Sequence, residues 1–235
     1  MSRRPVVHAR ETAIHLPLSG VVLNGDLTIP EEAAGIVLFA HGSGSSRLSP
    51  RNRQVAHTLQ DKGLATLLFD LLTAEEALED ARTAMLRFDV HLLADRLGGV
   101  TDLVEQGLAR RELHIGYFGA STGAAAALIA AARRPGVVEG VVSRGGRPDL
   151  AGASLESVRA PTLLIVGELD EQVIDLNREA LRRLSCVKRM EIIPGATHLF
   201  EEPGALEVVA RLAADWFAHY LTGPITHPVP RITPR

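Results

Sequence analysis

At 235 residues, with 46 % hydrophobic and 23 % charged side chains, the chain is long enough to bury the core of one ordinary globular domain. A net charge of −3 leaves no basic footprint for nucleic acid or an anionic membrane surface, and a single cysteine, Cys186, excludes an internal disulfide and a cysteine-built metal cluster. No stretch approaches the roughly 18 consecutive apolar residues of a membrane span, and the N-terminal segment has no continuous apolar run, so a soluble, cytoplasmic protein is expected.

In chain order, residues 11–30 alternate apolar and polar positions, with interruptions at Ser19-Gly20 and Asn24-Gly25. This pattern predicts two short antiparallel strands at a sheet edge. Residues 35–40 (GIVLFA) are wholly apolar, as in a strand buried on both faces, and run into His41-Gly42-Ser43-Gly44-Ser45-Ser46. A helix over 52–61, a buried strand over 64–70 and a charged segment over 71–89 follow. The acidic run Glu75, Glu76, Glu79, Asp80 reads as a solvated helical face rather than a metal site. An amphipathic helix is predicted over 90–105.

The stretch 113–134 (LHIGYFGASTGAAAALIAAARR) is an apolar strand, a tight turn and an alanine-rich helix, with Gly119-Ala120-Ser121-Thr122-Gly123 at the turn. A serine at so sharp a turn sits on a strained backbone with its hydroxyl clear of the sheet, provided that the neighbouring residues are bare. The bland alternative is a serine that merely caps the helix. Beyond it come a strand over 137–142, a loop-rich link over 143–160, a strand over 161–167, a helix over 174–184, a strand over 188–193 and a closing helix over 205–220. Such alternation predicts a doubly wound, mostly parallel α/β sheet with helices on both faces, forming a single domain over 1–221. The tail, 222–235, is rich in proline and has little to bury.

Functional groups in such sheets collect beyond the carboxyl ends of the strands. Ser121 follows one strand, Asp170 follows PTLLIVG in GELD, and His198 follows KRMEII in GATH. A serine hydroxyl needs a base, His198 can supply one ring nitrogen, and Asp170 can hold the other N–H and fix the tautomer. Glu168, Asp175 and Asp149 are the substitute acids. The oxyanion of an acyl-transfer intermediate would be met by the N–H of Thr122 and by the loop after GIVLFA, with Ser43 the first choice and Gly44 the second. His41 reads as a residue that holds this loop. Arg47, Arg144 and Arg147 are candidates for the pocket mouth. Arg47 and Arg144 are the chosen substrate-binding pair, because a guanidinium grips a carboxylate bidentately; for Arg144 the alternative is an ion pair with Asp70 or Asp149.

HGSGSS, GASTG, GELD and GATH, so spaced, resemble the dienelactone-hydrolase-like branch of the α/β-hydrolase superfamily over about residues 20–220. The resemblance implies an ester or lactone hydrolase without cofactor. Dienelactone hydrolases proper carry cysteine at the elbow, whereas this chain has Ser121, so the lactone substrate does not carry over. The 18 residues over 143–160 cannot build a cap domain. The expectation is therefore a serine hydrolase of small soluble carboxylic esters or lactones, monomeric or homodimeric, using neither metal nor cofactor. The same triad would serve a thioesterase or acyltransferase. A non-catalytic binding protein is the other class, since GSGSSR lies where phosphate loops sit; it lacks the Gly-Lys of one phosphate motif, and Arg47 stands where the other needs glycine.

Overall fold

The computed structural model describes residues 10–108 and 113–222. Eight strands form one sheet: β1 (Glu11–Leu18), β2 (Val21–Thr28), β3 (Gly35–Ala40), β4 (Ala65–Phe69), β5 (His114–Ala120), β6 (Val138–Arg144), β7 (Thr162–Gly167) and β8 (Lys188–Ile193). Their order is β1-β2-β4-β3-β5-β6-β7-β8. β1 pairs antiparallel with β2, and β2 antiparallel with β4, while all other neighbours are parallel. Six helices connect or flank them: α1 (Pro50–Asp61), α2 (Ala74–Thr83), α3 (Val90–Leu108), α4 (Thr122–Arg133), α5 (Glu171–Arg183) and α6 (Ala205–Tyr220). The expected mostly parallel, doubly wound sheet is the fold observed, without a separate cap domain among the described residues. No helix among the described residues is long and apolar enough to cross a membrane.

The core lies in two layers. On one face, Leu38, Tyr117 and Val141 pack with Leu93 and Leu97 of α3 and with the alanines of α4. On the other, Phe39, Phe118 and Val142 pack with Leu59 of α1 and with Val209 and Phe217 of α6. Each fully buried Leu or Phe contributes about 1.5–3 kcal/mol of transfer free energy. α4 is buried continuously from Thr122 to Ala131, and a helix hidden all round must be slim to lie against a sheet. Its alanines allow that approach.

Several boundaries differ from expectation for local reasons. β2 runs straight through Asn24-Gly25, where an interruption was predicted: bare Gly25 lets Leu16 and Leu67 close over it, each 3.1 Å from where a Cβ would stand. α1 begins at Pro50, because Ser49 accepts the N–H of Asn52 and proline suits the first turn. α3 continues three residues further than its amphipathic pattern suggests, and α5 starts three earlier, at Glu171, where a carboxylate favours a helix N-terminus. Most consequential is β6, which extends two residues further than predicted. Ser143 and Arg144 pair with Leu164 and Ile165 of β7 on one side and with Gly119 and Ala120 of β5 on the other, so they are strand, not link.

The rest of the link, Pro148–Ser157, coils into 3-10 turns. The acidic segment becomes α2, opened by a capping box between Thr73 and Glu76, and then a 3-10 turn at Leu86–Phe88. Its face is only partly solvated: Asp80 is buried against Arg87, at 2.6 Å, and Glu76 pairs with Arg96 at 2.7 Å. The proline-rich tail beyond Thr222 lies outside the described residues.

Candidate active site

The elbow between β5 and α4 sets the geometry. Ser121 has φ 50° and ψ −122°, a conformation that side-chain-bearing residues rarely adopt. A Cβ on Gly123 would stand 2.2 Å from the carbonyl oxygen of Ala40, and one on Gly119 2.5 Å from Cα of Ala124. Only bare residues at those two positions let strand, turn and helix close so tightly. The Ser121 side chain makes no capping bond to α4, which removes the bland reading of this serine and leaves its hydroxyl uncommitted. The backbone is held instead: Ser121 N–H donates to the Arg144 carbonyl (3.2 Å), and the Ser121 carbonyl accepts from Arg147 N–H (3.1 Å).

His198 and Asp170 come together from two other loops, with Nδ1 of His198 2.6 Å from Oδ2 of Asp170. An ionised carboxylate can only accept, so Nδ1 carries the hydrogen and Nε2 is the free, basic nitrogen. Asp170 precedes α5 but does not cap it, which keeps its carboxylate for the histidine. The substitute acids are engaged elsewhere: Glu168 accepts the N–H of Gly195 (2.7 Å), Asp149 pairs with Arg147 (2.8 Å) and Asp175 with Arg178 (3.1 Å). The His198 loop is fixed by the buried Phe200 and by Thr197, whose hydroxyl donates to Glu202 (2.6 Å). Gly145, at φ +50°, passes beneath it. A Cβ there would lie 3.1 Å from the His198 carbonyl oxygen and 3.5 Å from its ring. Because Arg144, one residue earlier, holds Ser121, the end of β6 brings the elbow and the histidine loop side by side.

The third wall is the loop after β3. Gly42 abuts the elbow, since a Cβ on it would come 3.0 Å from Cβ of Ser121. Ser43 is exposed and Gly44 takes φ +69°, with Ser45 N–H closing the turn onto the Gly42 carbonyl (3.2 Å). Thr122 heads α4, where first-turn N–H groups have no helical acceptor. His41 pins this loop from below: Nδ1–H donates to the Gly42 carbonyl (3.0 Å), and Nε2 accepts from Leu71 N–H (3.0 Å). That arrangement needs a neutral ring, and burial pushes the His41 pKa below its usual 6.5.

The arginines divide. Arg47 donates to Asp70 through its backbone N–H (2.9 Å) and Nη1 (2.5 Å), and Nε lies 3.4 Å from Asp26, so its charge is answered inside the protein. It ties the loop to β2 and to the end of β4, a long-range clamp with no local sequence signal. Arg144 has neither of the ion pairs considered for it, because Arg47 occupies Asp70 and Arg147 occupies Asp149. It is 8 % exposed, and burial, reinforced by the charge of Arg51, pushes its pKa down to about 10. Sequence reasoning missed Arg51, which sits in the first turn of α1 and is joined to Glu201 at 2.7 Å. Among the described residues no group of His, Cys, Asp or Glu side chains converges to hold a metal.

A parallel sheet with an antiparallel edge, a strained serine at a strand-to-helix elbow and a histidine–aspartate pair beyond the following strands define an α/β-hydrolase. The chain belongs to the dienelactone hydrolase family, whose family model matches residues 23–221. The crystal structure of a dienelactone hydrolase from Anabaena variabilis is similar at 60 % identity and a TM-score of 0.89, covering 91 % of this chain and 99 % of that one. Est1E from Butyrivibrio proteoclasticus shares the fold at 17 % identity and a TM-score of 0.71, over 88 % and 98 % of the two chains. A Mycobacterium tuberculosis protein provisionally named a phosphoribosyl transferase is 54 % identical over 215 residues, 92 % of this chain and 48 % of that protein. The chain thus spans about half the length of the curated relatives it matches.

Proposed function

We propose that the protein is a serine hydrolase that cleaves small soluble carboxylic esters or lactones through an acyl-enzyme on Ser121. The observations that carry this reading are the uncommitted hydroxyl of Ser121 on a positive-φ elbow and a histidine, in a loop next to the end of β6, whose Nδ1 is bound to Asp170. Nε2 of His198 takes the Ser121 proton as Oγ attacks the carbonyl, and Asp170 stabilises the imidazolium that forms. The oxyanion is met by the N–H groups of Thr122 and Ser43, with Gly44 the alternative; each such donor is worth about 10²–10³ in kcat. His198 then protonates the leaving alcohol, and water, activated by the same nitrogen, releases the acid and regenerates Ser121.

Only the 3-10 segment Pro148–Ser157 stands between β6 and β7, which supports small soluble substrates over long acyl chains. The transferase name of the mycobacterial relative is not carried over, because the chain matches only 48 % of that protein. The test is fluorophosphonate labelling together with a panel of p-nitrophenyl esters, lactones, acyl-CoA thioesters and peptide amides. Wild-type protein is expected to label at Ser121 and to turn over short esters, with Ser121→Ala losing about 10³ or more in kcat. Absence of labelling in folded wild-type protein would overturn the reading in favour of a binding role, and preferred thioester turnover would make it a thioesterase.

A further inference from the structure

The buried residues of α5 are Val173, Ile174, Ala180 and one polar residue, Asn177, which is fully sealed from solvent. Its amide nitrogen donates twice: to the carbonyl of Val173 one turn back (2.8 Å), and to the carbonyl of Gly146 just beyond the end of β6 (3.0 Å). Only the nitrogen suits that place, since Oδ1 there would face two carbonyls. Oδ1 itself is buried and has no hydrogen-bond partner among the described residues. For stability alone such a residue is a poor choice, because an apolar side chain of similar size would bury the same surface without an unanswered oxygen. What an apolar side chain could not supply is the hydrogen on Gly146.

The Gly146 carbonyl shares a peptide unit with Arg147 N–H, which donates to the Ser121 carbonyl (3.1 Å). The Ser121 carbonyl in turn shares a peptide unit with Thr122 N–H. Both units are trans, so in each the N–H points away from its carbonyl. A chain of donors thus runs from Asn177 through Gly146–Arg147 and Ser121–Thr122 to the space in front of the elbow. Ala124 N–H also donates to the Ser121 carbonyl (3.1 Å), which fixes its direction further. Bareness at Gly146 lets the first unit lie against α4: a Cβ there would stand 2.0 Å from Oγ of Ser143 and 2.7 Å from Cβ of Ala124. Hydrogen bonds in such a chain polarise one another, by about 10–30 % each.

We propose that Asn177 is a positioning residue for the oxyanion: by holding the Gly146 carbonyl, it aims and polarises Thr122 N–H through two peptide units. It touches no substrate, so its effect is confined to the step in which charge develops on the carbonyl oxygen. The His198–Asp170 pair is not in the chain, and Gly145, beneath His198, is held separately by its N–H on the Ile165 carbonyl (2.8 Å). This rests on the reading of Ser121 as nucleophile and of Thr122 as oxyanion donor.

Asn177→Leu keeps the bulk and removes the donor, whereas Asn177→Ser offers a hydroxyl too short for Gly146 that turns back to the Val173 carbonyl. With 4-nitrophenyl butyrate, each variant is expected to lose about tenfold or more in kcat, about 1.4 kcal/mol, with KM within about twofold and the pKa of His198 in the kcat/KM profile unmoved. Inhibition by a trifluoromethyl ketone, whose hemiketal carries the oxyanion, should weaken by the same factor. A kcat within about twofold of wild type in a folded variant overturns the proposal, as does a loss accompanied by a shifted His198 pKa, which would make Asn177 a mere support of the turn beneath the histidine. If Asn177→Leu does not fold, Asn177→Ser decides. A second arm needs no turnover: in protein isotopically labelled at threonine, the Thr122 amide proton resonance is expected to move upfield in the variants while those of Thr66 in β4 and Thr101 in α3 hold. If wild type hydrolyses no ester, the hydrolase reading fails while this arm still judges the tie between Asn177 and Thr122. A Thr122 resonance that stays in place counts against it.

Discussion

The strain at Ser121 can be measured as stability. A non-glycine residue at φ 50°, ψ −122° costs about 1–3 kcal/mol relative to a relaxed backbone. Ser121→Gly removes that cost but frees the unfolded chain, which takes back about 0.4–1 kcal/mol. The hydroxyl makes no capping bond to α4, so little else is lost. The net expectation is a gain of about 0.5–2 kcal/mol, or roughly 2–6 °C in Tm for a chain of this length. Ser121→Ala is the control, since it loses the hydroxyl but keeps the strained Cβ. Both variants should fail to label with a fluorophosphonate, yet only the glycine variant should unfold at higher temperature and higher urea. A glycine variant no more stable than the alanine variant would show that the elbow is not strained, and that surrounding contacts alone determine its shape.

Asp170→Asn should lower kcat by about 10³–10⁴ through the wrong His198 tautomer, while Glu168→Gln, which touches only Gly195 N–H, should cost far less; steady-state kinetics on a short ester check both, and the reverse order would reassign the acid. His41 makes a prediction about pH. Its folded pKa lies below 6.5, so the unfolded chain binds the proton first, and stability is lost as pH falls from 6.5 toward the folded value. Urea unfolding from pH 7.5 to 5 should show wild type losing stability more steeply than His41→Asn, and parallel curves would mean that the ring is not held neutral by Leu71 N–H.

The elbow and its partners were legible because each depends on short-range chemistry. Gly119, Ser121 and Gly123 announce a turn that only bare residues permit, and apolar strands ending at GELD and GATH place Asp170 and His198 at the same sheet edge. What stayed hidden depends on distance in sequence or on paired neighbours. Arg144 reads as a loop residue because a charge ends an apolar run, yet β5 and β7 on either side carry the ladder through it. The ties of Arg47 to Asp26 and Asp70 join three elements, and nothing local to any one of them signals the other two.

The short 3-10 connection after β6 has a kinetic consequence. With the His198 side chain 38 % exposed and no separate domain folded over it among the described residues, bulk water would meet the proposed acyl-enzyme as soon as the alcohol had left. A competing acceptor must then outrun a solvent that is always present, so the partition between transfer and hydrolysis falls to hydrolysis unless that acceptor is bound in place beforehand. In the proposed mechanism, turnover would have no opening step among the described residues to wait for, which would tie its rate to the chemistry of acylation or deacylation rather than to product release.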